Sequence, residues 1–242
     1  MNVLITGATS GIGRELAIDY AKAGNAVVAV GRNQVALDEL EHTYSGQIHT
    51  INLDVSDKAS VREKLSAVPE MDLVILNAGT CEYVDVMDFK SEPFERVLNV
   101  NFLGVVYCVE VLLDRISKGG QLAIVGSLSR QLPFSRAQAY GASKIAIHYF
   151  TKSLAVDLEG KKEISIHSIS PGFVKTPLTD QNDFDMPFLI ETQEASKRII
   201  EGLKKGKKEI AFPRRLAWPL ALASHLPESW QHKILLSLRG KK

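Results

Sequence analysis

Short apolar runs rich in β-branched residues alternate along most of the chain with stretches of helical periodicity. The runs predict strands over 2–7, 26–31, 48–55, 72–79, 121–127, 165–172 and 209–213. The stretches between them predict helices over 11–24, 34–43, 57–67, 94–116 and 137–159. Several runs are apolar throughout, as in parallel strands that are covered on both faces. The alternation therefore predicts an α/β fold with a doubly wound parallel sheet of about seven strands, flanked by helices.

The alternation continues without an internal repeat, a low-complexity segment or an interdomain linker. A length of 242 residues suits one large domain with a substantial core. We therefore predict a single domain over 1–242, whose crossover connections are right-handed.

The composition is ordinary for a soluble globular protein, with 45% apolar and 24% charged residues. A net charge of +1 gives no reason to expect a nucleic-acid partner, which requires a basic face. Cys81 and Cys108 do not form a disulfide framework, and the six histidines show no paired metal-ligand spacing. No signal peptide and no run of the roughly 18 apolar residues that span a bilayer is visible. We expect a cytoplasmic protein without a metal or a transmembrane segment.

The glycine-rich string TGATSGIG at 6–13 lies between the first predicted strand and the first predicted helix. Glycine permits a tight turn and lets backbone approach a pyrophosphate, while free N–H groups at a helix start favour anions. The string therefore predicts a dinucleotide site in a Rossmann-type fold. Its glycines, Gly7, Gly11 and Gly13, are spaced G-x-x-x-G-x-G, which departs from G-x-G-x-x-G. The alternative is an ordinary glycine-containing turn.

The end of the second predicted strand bears on which dinucleotide is bound. Gly31, Arg32 and Asn33 offer no carboxylate for a ribose 2′-hydroxyl. A guanidinium there suits the 2′-phosphate of NADP, so we expect NADP(H) to be favoured over NAD(H). Otherwise Arg32 is a solvated loop arginine. Asp54, after the third strand, can cap the next helix or accept a hydrogen bond from the adenine amino group.

Tyr140 and Lys144 lie four residues apart in AYGASKIAIHYF, so a helix stacks them one turn apart on the same face. The ordinary pKa of tyrosine, about 10, is too high for a good base near neutral pH, and an adjacent ammonium favours the phenolate. The pair is either an acid–base device or a chance contact. His148, one turn further, is interpreted as a packing or interface residue.

Several motifs together resemble the classical short-chain dehydrogenases/reductases in their order and spacing, from residue 2 to about 215. They are TGATSGIG (6–13), LDV (53–55), NAG (77–79), NVNFLG (99–104), YGASK (140–144) and PGFVKT (171–176). Ser127 lies 13 residues before Tyr140, as in the active site of that family.

The resemblance implies a catalytic tetrad of Ser127, Tyr140, Lys144 and Asn101. In such a tetrad Tyr140 is the acid/base and Ser127 donates a hydrogen bond to the substrate oxygen. Lys144 also reaches the nicotinamide ribose, and Asn101 holds a water in a proton relay. The resemblance also implies cofactor-binding residues, namely Gly7, Thr9, Ser10, Gly11, Ile12, Gly13, Arg32, Asn33, Asp54, Val55, Asn77, Ala78, Gly79, Tyr140, Lys144, Pro171, Gly172, Val174 and Thr176.

Substrate choice is expected to depend on 177–195, which mixes apolar residues with acidic and amide residues. That composition suits a mobile lid with an apolar underside, and an ordinary surface loop that ends in a helix over 192–203 is the alternative. Residues 81–83 and 128–134 are expected to line the other walls. We therefore predict a medium or bulky, apolar carbonyl or alcohol as substrate.

The C-terminal segment 214–242 is richer in Leu and Trp than a tail requires, and basic residues flank it. These are Arg214, Arg215 and those within 239–242. Its apolar run 216–223 contains Pro219 and is too short to span a bilayer. Three interpretations stay open: packing on the same subunit, an oligomer contact, and a peripheral membrane or lipid-substrate surface. Packing or an oligomer contact is favoured.

Taken together, the residues and the resemblance predict an NADP(H)-dependent oxidoreductase. It would transfer a hydride between nicotinamide and a carbonyl/alcohol pair, with reduction as the expected cellular direction. An NAD-preferring alcohol dehydrogenase and a non-catalytic dinucleotide-sensing protein are the alternatives. Members of the family commonly associate through helices that correspond to 94–116 and 137–159, so the resemblance also implies a homo-dimer or homo-tetramer.

Overall fold

The computed structural model describes residues 1–238, which form one seven-stranded sheet with helices on both faces. The strands are β1 (Asn2–Thr6), β2 (Ala26–Gly31), β3 (Ile48–Asn52), β4 (Met71–Leu76), β5 (Ile116–Val125), β6 (Ser165–Pro171) and β7 (Glu209–Phe212). All neighbours pair in parallel, in the order β3-β2-β1-β4-β5-β6-β7. The predicted Rossmann-type doubly wound sheet is confirmed. The single domain over 1–242 stays a prediction.

Nine helices accompany these strands in residues 1–238. They are α1 (Gly11–Lys22), α2 (Gln34–Thr43), α3 (Lys58–Leu65), α4 (Glu92–Leu98), α5 (Gly104–Leu112), α6 (Gln138–Leu158), α7 (Thr192–Lys204), α8 (Arg214–Ala223) and α9 (Glu228–Leu238). The starts of α2 and α3 follow from capping, because the side chains of Asn33 and Asp57 accept hydrogen bonds from N–H groups of the first turn.

The sheet supplies two separate cores, because successive residues of a strand point to opposite faces. Val3 and Ile5 of β1 pack with α1, α2 and α7 on one face. Leu4, between them, packs with α3, α5 and α6 on the other face. Burial on both sides explains why the strands are apolar throughout in the sequence.

The start of β5 differs from the prediction, because the strand begins at Ile116 rather than at residue 121. Its first part contains the polar residues Ser117 and Lys118 and two glycines, of which Gly119 has a φ of +79°. This composition is typical of a loop. The pairing with β4 shifts register between Met71 and Leu73, which accommodates the irregular segment.

The predicted helix over 94–116 is divided by a π-helical turn at Asn99–Leu103, between α4 and α5. By length and composition alone, the whole stretch Glu92–Arg115 is long and apolar enough to cross a membrane. This corrects the expectation that no stretch qualifies: the apolar residues are not consecutive, but their average suffices. Cys108 and Leu112 are buried against the sheet, so part of the apolar character belongs to the core.

The C-terminal segment forms two helices, α8 and α9, that were not predicted from the sequence. Pro219 lies inside α8 and is exposed, so the carbonyl group that loses its helical partner lies near solvent. Ala217 is buried, which confirms packing on the same subunit for one face of α8. The basic residues expected within 239–242 lie outside the described residues.

Candidate active site

A cleft of about 250 Å³ lies at the carboxyl ends of the strands, where the strand order reverses between β1 and β4. The predicted residues that line it are Gly7, Thr9, Ser10, Gly11, Ile12, Arg32, Asp54, Val55, Asn77, Ala78, Gly79, Ser127, Tyr140, Lys144, Pro171, Gly172, Val174 and Thr176. The other three predicted residues, Gly13, Asn33 and Asn101, are not among its lining.

The glycine loop after β1 is held at distances that exclude side chains. Gly7 has a φ of +68°, and a Cβ there would lie 2.8 Å from the Cα of Ala78. A Cβ on Gly13 would lie 2.2 Å from the carbonyl oxygen of Gly7, so Gly13 lets α1 begin close to the loop. Gly13 therefore shapes the cleft without lining it.

The start of α1 fits the pyrophosphate of a dinucleotide. Ser10 is the N-cap residue, and its side chain makes no capping hydrogen bond. The first turn contains no acidic residue, so nothing there repels an anion. Free N–H groups at a helix start and open backbone beside them are the features that bind phosphate in this position.

The NAG motif ties β4 to β1 beneath the glycine loop. The backbone N–H of Asn77 donates to the Thr6 hydroxyl at 3.0 Å, and its side-chain amide donates to the Thr6 carbonyl at 3.1 Å. The backbone N–H of Ala78 donates to the same hydroxyl at 3.1 Å. The floor of the cleft is therefore a hydrogen-bonded connection between two central strands.

Arg32 and Asp54 form an ion pair at 3.2 Å at the end of the cleft beside β2 and β3. The Arg32 side chain is 67% exposed, so its remaining donors face solvent. Burial alone would raise the pKa of Asp54, but hydrogen bonds from Ser56 and the charge of Arg32 lower it below its ordinary value. Asp54 thus caps a turn and orients Arg32.

Two residues beside Arg32 have structural roles. The side chain of Asn33 accepts the N–H of Ala36 at 3.2 Å, which caps α2 and leaves it outside the cleft lining. A Cβ on Gly31 would lie 2.4 Å from the methyl carbon of Thr9, so there is no room for a side chain at the end of β2.

Tyr140 and Lys144 lie on the first turns of α6, with Ser127 opposite them at the end of β5. The Lys144 ammonium nitrogen is 5.5 Å from the centroid of the Tyr140 ring. It donates to the Val125 carbonyl at 3.2 Å and is buried. The Ser127 hydroxyl accepts the backbone N–H of Ser129 at 3.1 Å.

Burial dominates the ionisation of this pair. It raises the pKa of Tyr140 to about 12, although a hydrogen bond with Ser127 acts in the opposite direction. It lowers the pKa of Lys144 to about 8. Without cofactor, Tyr140 is therefore a protonated phenol at neutral pH. The sequence led us to expect that Lys144 lowers this pKa, but burial sets its direction and only the hydrogen bond with Ser127 opposes it.

Asn101 lies on the π-helical turn and braces the start of α6. Its carbonyl oxygen accepts the Thr80 N–H at 2.8 Å, and its amide donates to the Thr80 carbonyl and to the Ser143 hydroxyl, both at 2.9 Å. Ser143 in turn donates to the Tyr140 carbonyl at 2.7 Å. The amide of Asn101 therefore links Thr80, in the loop after β4, to Tyr140 through the Ser143 hydroxyl. π-Helical turns frequently occur at functional sites.

A second set of contacts lies outside the lining of the cleft, between residues 81–83 and the loop after β6. The Tyr83 hydroxyl donates to the Asn182 side chain at 2.5 Å, and the Tyr83 ring packs edge-on against Phe184, with centroids 6.0 Å apart. The guanidinium of Arg136 lies 5.1 Å from the Tyr83 ring centroid and binds Asp183 through contacts of 2.8 and 2.9 Å. We call residues 81–83, Arg136 and 177–190 the substrate side, and the loops after β1 to β4 up to residue 79 the cofactor side.

The sequence predicted parts of the substrate side but not its connections. Residues 81–83 and 128–134 were expected as walls, yet none of them lines the cleft. Phe184 belongs to the expected lid, whereas Arg136 was not expected at all. Arg136 has a φ of +65°, which nothing in its sequence context signals. Leu178 and Thr179 also line the cleft and were missed as site residues. Thr179 fixes the loop after β6, because its hydroxyl donates to the Val174 carbonyl at 2.7 Å.

His148 and the cysteines take no part in the lining of the cleft. His148 lies 3.4 Å from the Ser168 hydroxyl and is half-buried, in agreement with a packing residue. Burial raises the pKa of Cys81 to about 11 and that of Cys108 to about 12, so both are protonated thiols at neutral pH. Among residues 1–238 there is no group of three or more acidic, histidine or cysteine side chains that could hold a metal ion.

Comparison with known proteins points to one family. The family model described as short chain dehydrogenase matches residues 1–186. A 3beta-hydroxysteroid dehydrogenase of Mediterraneibacter gnavus is 35% identical over 213 residues, which cover 84% of this chain and 76% of that protein. The NADP-dependent 3-hydroxy acid dehydrogenase of Escherichia coli is 30% identical over 181 residues, which cover 72% and 73%.

A solved structure shows the same fold over the whole chain. The short chain dehydrogenase/reductase of Burkholderia phymatum, in complex with NAD, superposes with a TM-score of 0.83 at 20% identity. The match covers 100% of this chain and 96% of that one.

Proposed function

The chain belongs to the short chain dehydrogenase family of NAD(P)-dependent oxidoreductases, and we propose that it is an NADP(H)-dependent reductase of apolar carbonyl compounds. The observation that carries the proposal is the pair of half-buried Tyr140 and buried Lys144 beside Ser127, in the same cleft as the glycine loop. A dinucleotide-binding cleft needs no such pair unless a proton moves there.

The chemistry adds a hydride and a proton to a carbonyl group. The reduced nicotinamide, when bound, supplies the hydride to the carbonyl carbon. Tyr140 gives its phenolic proton to the carbonyl oxygen, so the Tyr140 O–H bond breaks as the substrate O–H bond forms. Tyr140 is protonated before the reaction, as an acid must be, but burial makes it a weaker acid, so the proton transfer depends on neighbours that stabilise the phenolate.

Three neighbours support the proton transfer by Tyr140. The Ser127 hydroxyl donates to the substrate oxygen and stabilises the charge that develops on it. The Lys144 ammonium stabilises the phenolate that remains on Tyr140, and a solvent proton restores the phenol. Asn101, through Ser143, fixes the backbone from which Tyr140 projects.

Arg32 supports NADP(H) rather than NAD(H). Its guanidinium is at the cofactor side, one carboxylate orients it, and no carboxylate at position 31 can accept from a ribose hydroxyl. The 30% identical relative from Escherichia coli is NADP-dependent by name. An NAD-preferring enzyme is the alternative, and it requires Arg32 to do no more than pair with Asp54.

The test of the cofactor is calorimetric titration of the protein with NADPH and with NADH. We expect a preference for NADPH of about tenfold or more, because charge-assisted hydrogen bonds contribute about 1.5–3 kcal/mol each. Arg32→Ala should abolish the preference. Arg62→Ala is the matched control, since Arg62 is an exposed arginine with one carboxylate partner outside the cleft. Equal binding of both cofactors by the wild type would contradict the assignment of Arg32.

The substrate side favours a medium or bulky apolar substrate. Tyr83, Phe173 and Phe184 form a contiguous aromatic cluster, with centroid distances of 6.0 Å between successive rings. The 35% identical relative from Mediterraneibacter gnavus acts on a hydroxysteroid by name, which is a substrate of this kind. Cytoplasmic location and a homo-dimer or homo-tetramer stay predictions.

A further inference from the structure

The outer face of α8 is apolar and basic at once. Spacing of four residues along the helix brings Arg214, Trp218 and Leu222 onto one face, with Arg215 beside them. Trp218 is 69% and Leu222 72% exposed, although the opposite face of α8 packs on the domain through Ala217. Packing on the same subunit therefore accounts for the apolar residues on only one face of α8.

α9 adds further exposed apolar side chains next to α8 in the chain, and Gln231 ties it to the end of α8 through the Ser224 carbonyl. None of its residues is buried, although it contains Trp230, Ile234, Leu235 and Leu236. Trp218 and Trp230 are the two tryptophans of the chain, and both are more than half exposed. Tryptophan is enriched where an apolar region meets water, above all at the boundary of a bilayer.

The surface also reaches the substrate side. A groove of about 1040 Å³ runs between α7, β7 and α8. Phe188 and Leu189, both exposed residues of the lid, line it together with Trp218 and Leu222. Lys205 and Lys207 lie along it as well, and within residues 1–238 neither has a carboxylate partner. The groove also contains Glu201 and Glu209, but its five Lys and Arg residues outnumber these two, so positive charge predominates beside the apolar residues.

The charge along the sequence changes sharply at residue 214. Residues 214–242 contain six Lys or Arg and one Glu, a net charge of +5, so residues 1–213 carry +1 − 5 = −4. Three of the six, Arg239, Lys241 and Lys242, lie outside the described residues. A two-fold contact of this face with itself would bring two surfaces of the same positive charge together, which is unfavourable. An anionic surface complements it, and such an asymmetry within a chain suggests a membrane or nucleic-acid surface. Exposed Trp and Leu favour the membrane.

From these observations we infer that α8 and α9 dock the protein onto anionic lipid bilayers. Trp218, Leu222 and Trp230 enter the interfacial region, while Arg214 and Arg215 contact lipid phosphates. The lid residues Phe188 and Leu189 then face the bilayer. Apolar substrates would reach the substrate side from the lipid, but the docking itself does not depend on the proposed reaction.

The test is flotation of the full chain with vesicles of phosphatidylcholine, with and without phosphatidylserine. We expect binding only to the anionic vesicles and its loss at high salt. Because both tryptophans lie on the surface, their fluorescence should shift to the blue on binding. Arg214→Gln/Arg215→Gln should lower the partition coefficient about 25-fold, since each basic residue near the surface contributes about fivefold. Trp218→Ala should lower it on the order of tenfold.

Matched variants remove similar groups elsewhere. Arg62→Gln/Arg115→Gln removes two exposed charges from another surface, and Phe89→Ala removes a 62% exposed ring. Both should bind vesicles like the wild type. Absence of binding to anionic vesicles, or equal losses in the controls, would overturn the inference. A dimer of the wild type in analytical ultracentrifugation that is lost in Trp218→Ala would also overturn the inference, because a second copy of the chain would then cover this face.

Discussion

The cofactor side and the substrate side differ in the kind of contact that determines their shape. On the cofactor side, glycines at 7, 13 and 31 leave no space for a Cβ, because backbone atoms and the short side chains of Thr9 and Asn77 approach them closely. On the substrate side, long side chains such as Tyr83 and Arg136 reach across to the lid. The first arrangement fixes one shape, whereas the second can adjust by rotation of side chains.

This difference matches the two tasks. Every dinucleotide presents the same pyrophosphate, so a rigid cradle has no disadvantage. A substrate must enter and a product must leave, so that side needs contacts that break at low cost. Exposed ion pairs typically contribute about 0–1 kcal/mol, which suits a closure that opens repeatedly.

Tyr140→Phe is expected to have the largest effect, because Tyr140 serves both sides. Loss of the phenolic proton should lower turnover about 10²–10⁴-fold, the usual contribution of a general acid. NADPH binding in calorimetry should stay within about twofold of the wild type. A dinucleotide sensor would instead bind cofactor and show no change in its response, and full turnover in Tyr140→Phe would refute the role of Tyr140.

Gly13→Ala should break the cofactor side alone. The new methyl group would lie 2.2 Å from the Gly7 carbonyl oxygen and 2.5 Å from the Asn77 side-chain amide, which is itself held by the Thr6 carbonyl. We expect the free energy of unfolding to fall by about 3 kcal/mol, together with weaker NADPH binding. Urea denaturation measures the change.

Gly141→Ala is the matched control for Gly13→Ala. A Cβ on Gly141, inside α6, meets no atom within 4 Å. Its stability should stay equal or rise by about 0.5–1 kcal/mol, because alanine suits a helix better than glycine. Similar losses in both variants would show that the cradle is not the cause.

The lowered pKa of Lys144 should make the free energy of unfolding depend on pH. Its pKa is about 8 in the folded chain and 10.5 as the ordinary value, so burial of the ammonium opposes folding below pH 8. The cost disappears as pH rises, because the folded lysine becomes neutral while the unfolded one stays charged. Relative to Lys144→Met, wild-type stability should rise by about 2 kcal/mol between pH 7 and pH 9.5. Parallel pH profiles in urea denaturation would argue against this burial.

Arg136→Gln should have the smallest effect and should touch the substrate side alone. The change removes the ion pair with Asp183 and the contact with the Tyr83 ring. We expect KM for a bulky substrate to change about two- to fivefold, with NADPH binding unchanged, since such a pair contributes about 1 kcal/mol or less.

Arg62→Gln is the control for Arg136→Gln. Arg62 also binds a carboxylate, that of Glu110, and its side chain is 55% exposed, against 41% for Arg136. It lies on α3, outside the cleft and the substrate side. An equal change of KM in Arg62→Gln would mean that loss of charge, not of the lid contact, is responsible.

The sequence predicted the cofactor side better than the substrate side, for a physical reason. Close approach of the backbone requires glycine at particular positions, so the sequence itself identifies Gly7 and Gly13. Buried strands require apolar residues, so β1 and β4 can be recognised in the sequence as apolar runs. The contacts of Arg136 depend on a positive φ and on a loop more than 40 positions away in the chain, at Asp183, and neither leaves a local pattern.

Two other features could not be read from the sequence. Pro219 suggested an interruption, yet α8 continues through it because the affected carbonyl lies on the exposed side. Asn101 was identified from its motif, but its bond to Ser143 joins residues 42 positions apart. The motif indicated which residue matters, and only the fold shows what it holds.

The close contact between Gly31 and Thr9 restricts how cofactor preference can be altered. An acidic residue at position 31, the change that would create an acceptor for a ribose hydroxyl, places its Cβ 2.4 Å from the Thr9 methyl carbon. Thr9→Ser removes that carbon while it keeps the hydroxyl, so it has to come first. A directed-evolution experiment that samples single substitutions would therefore discard Gly31→Asp in the wild-type background. The order of the two steps is set by one methyl group.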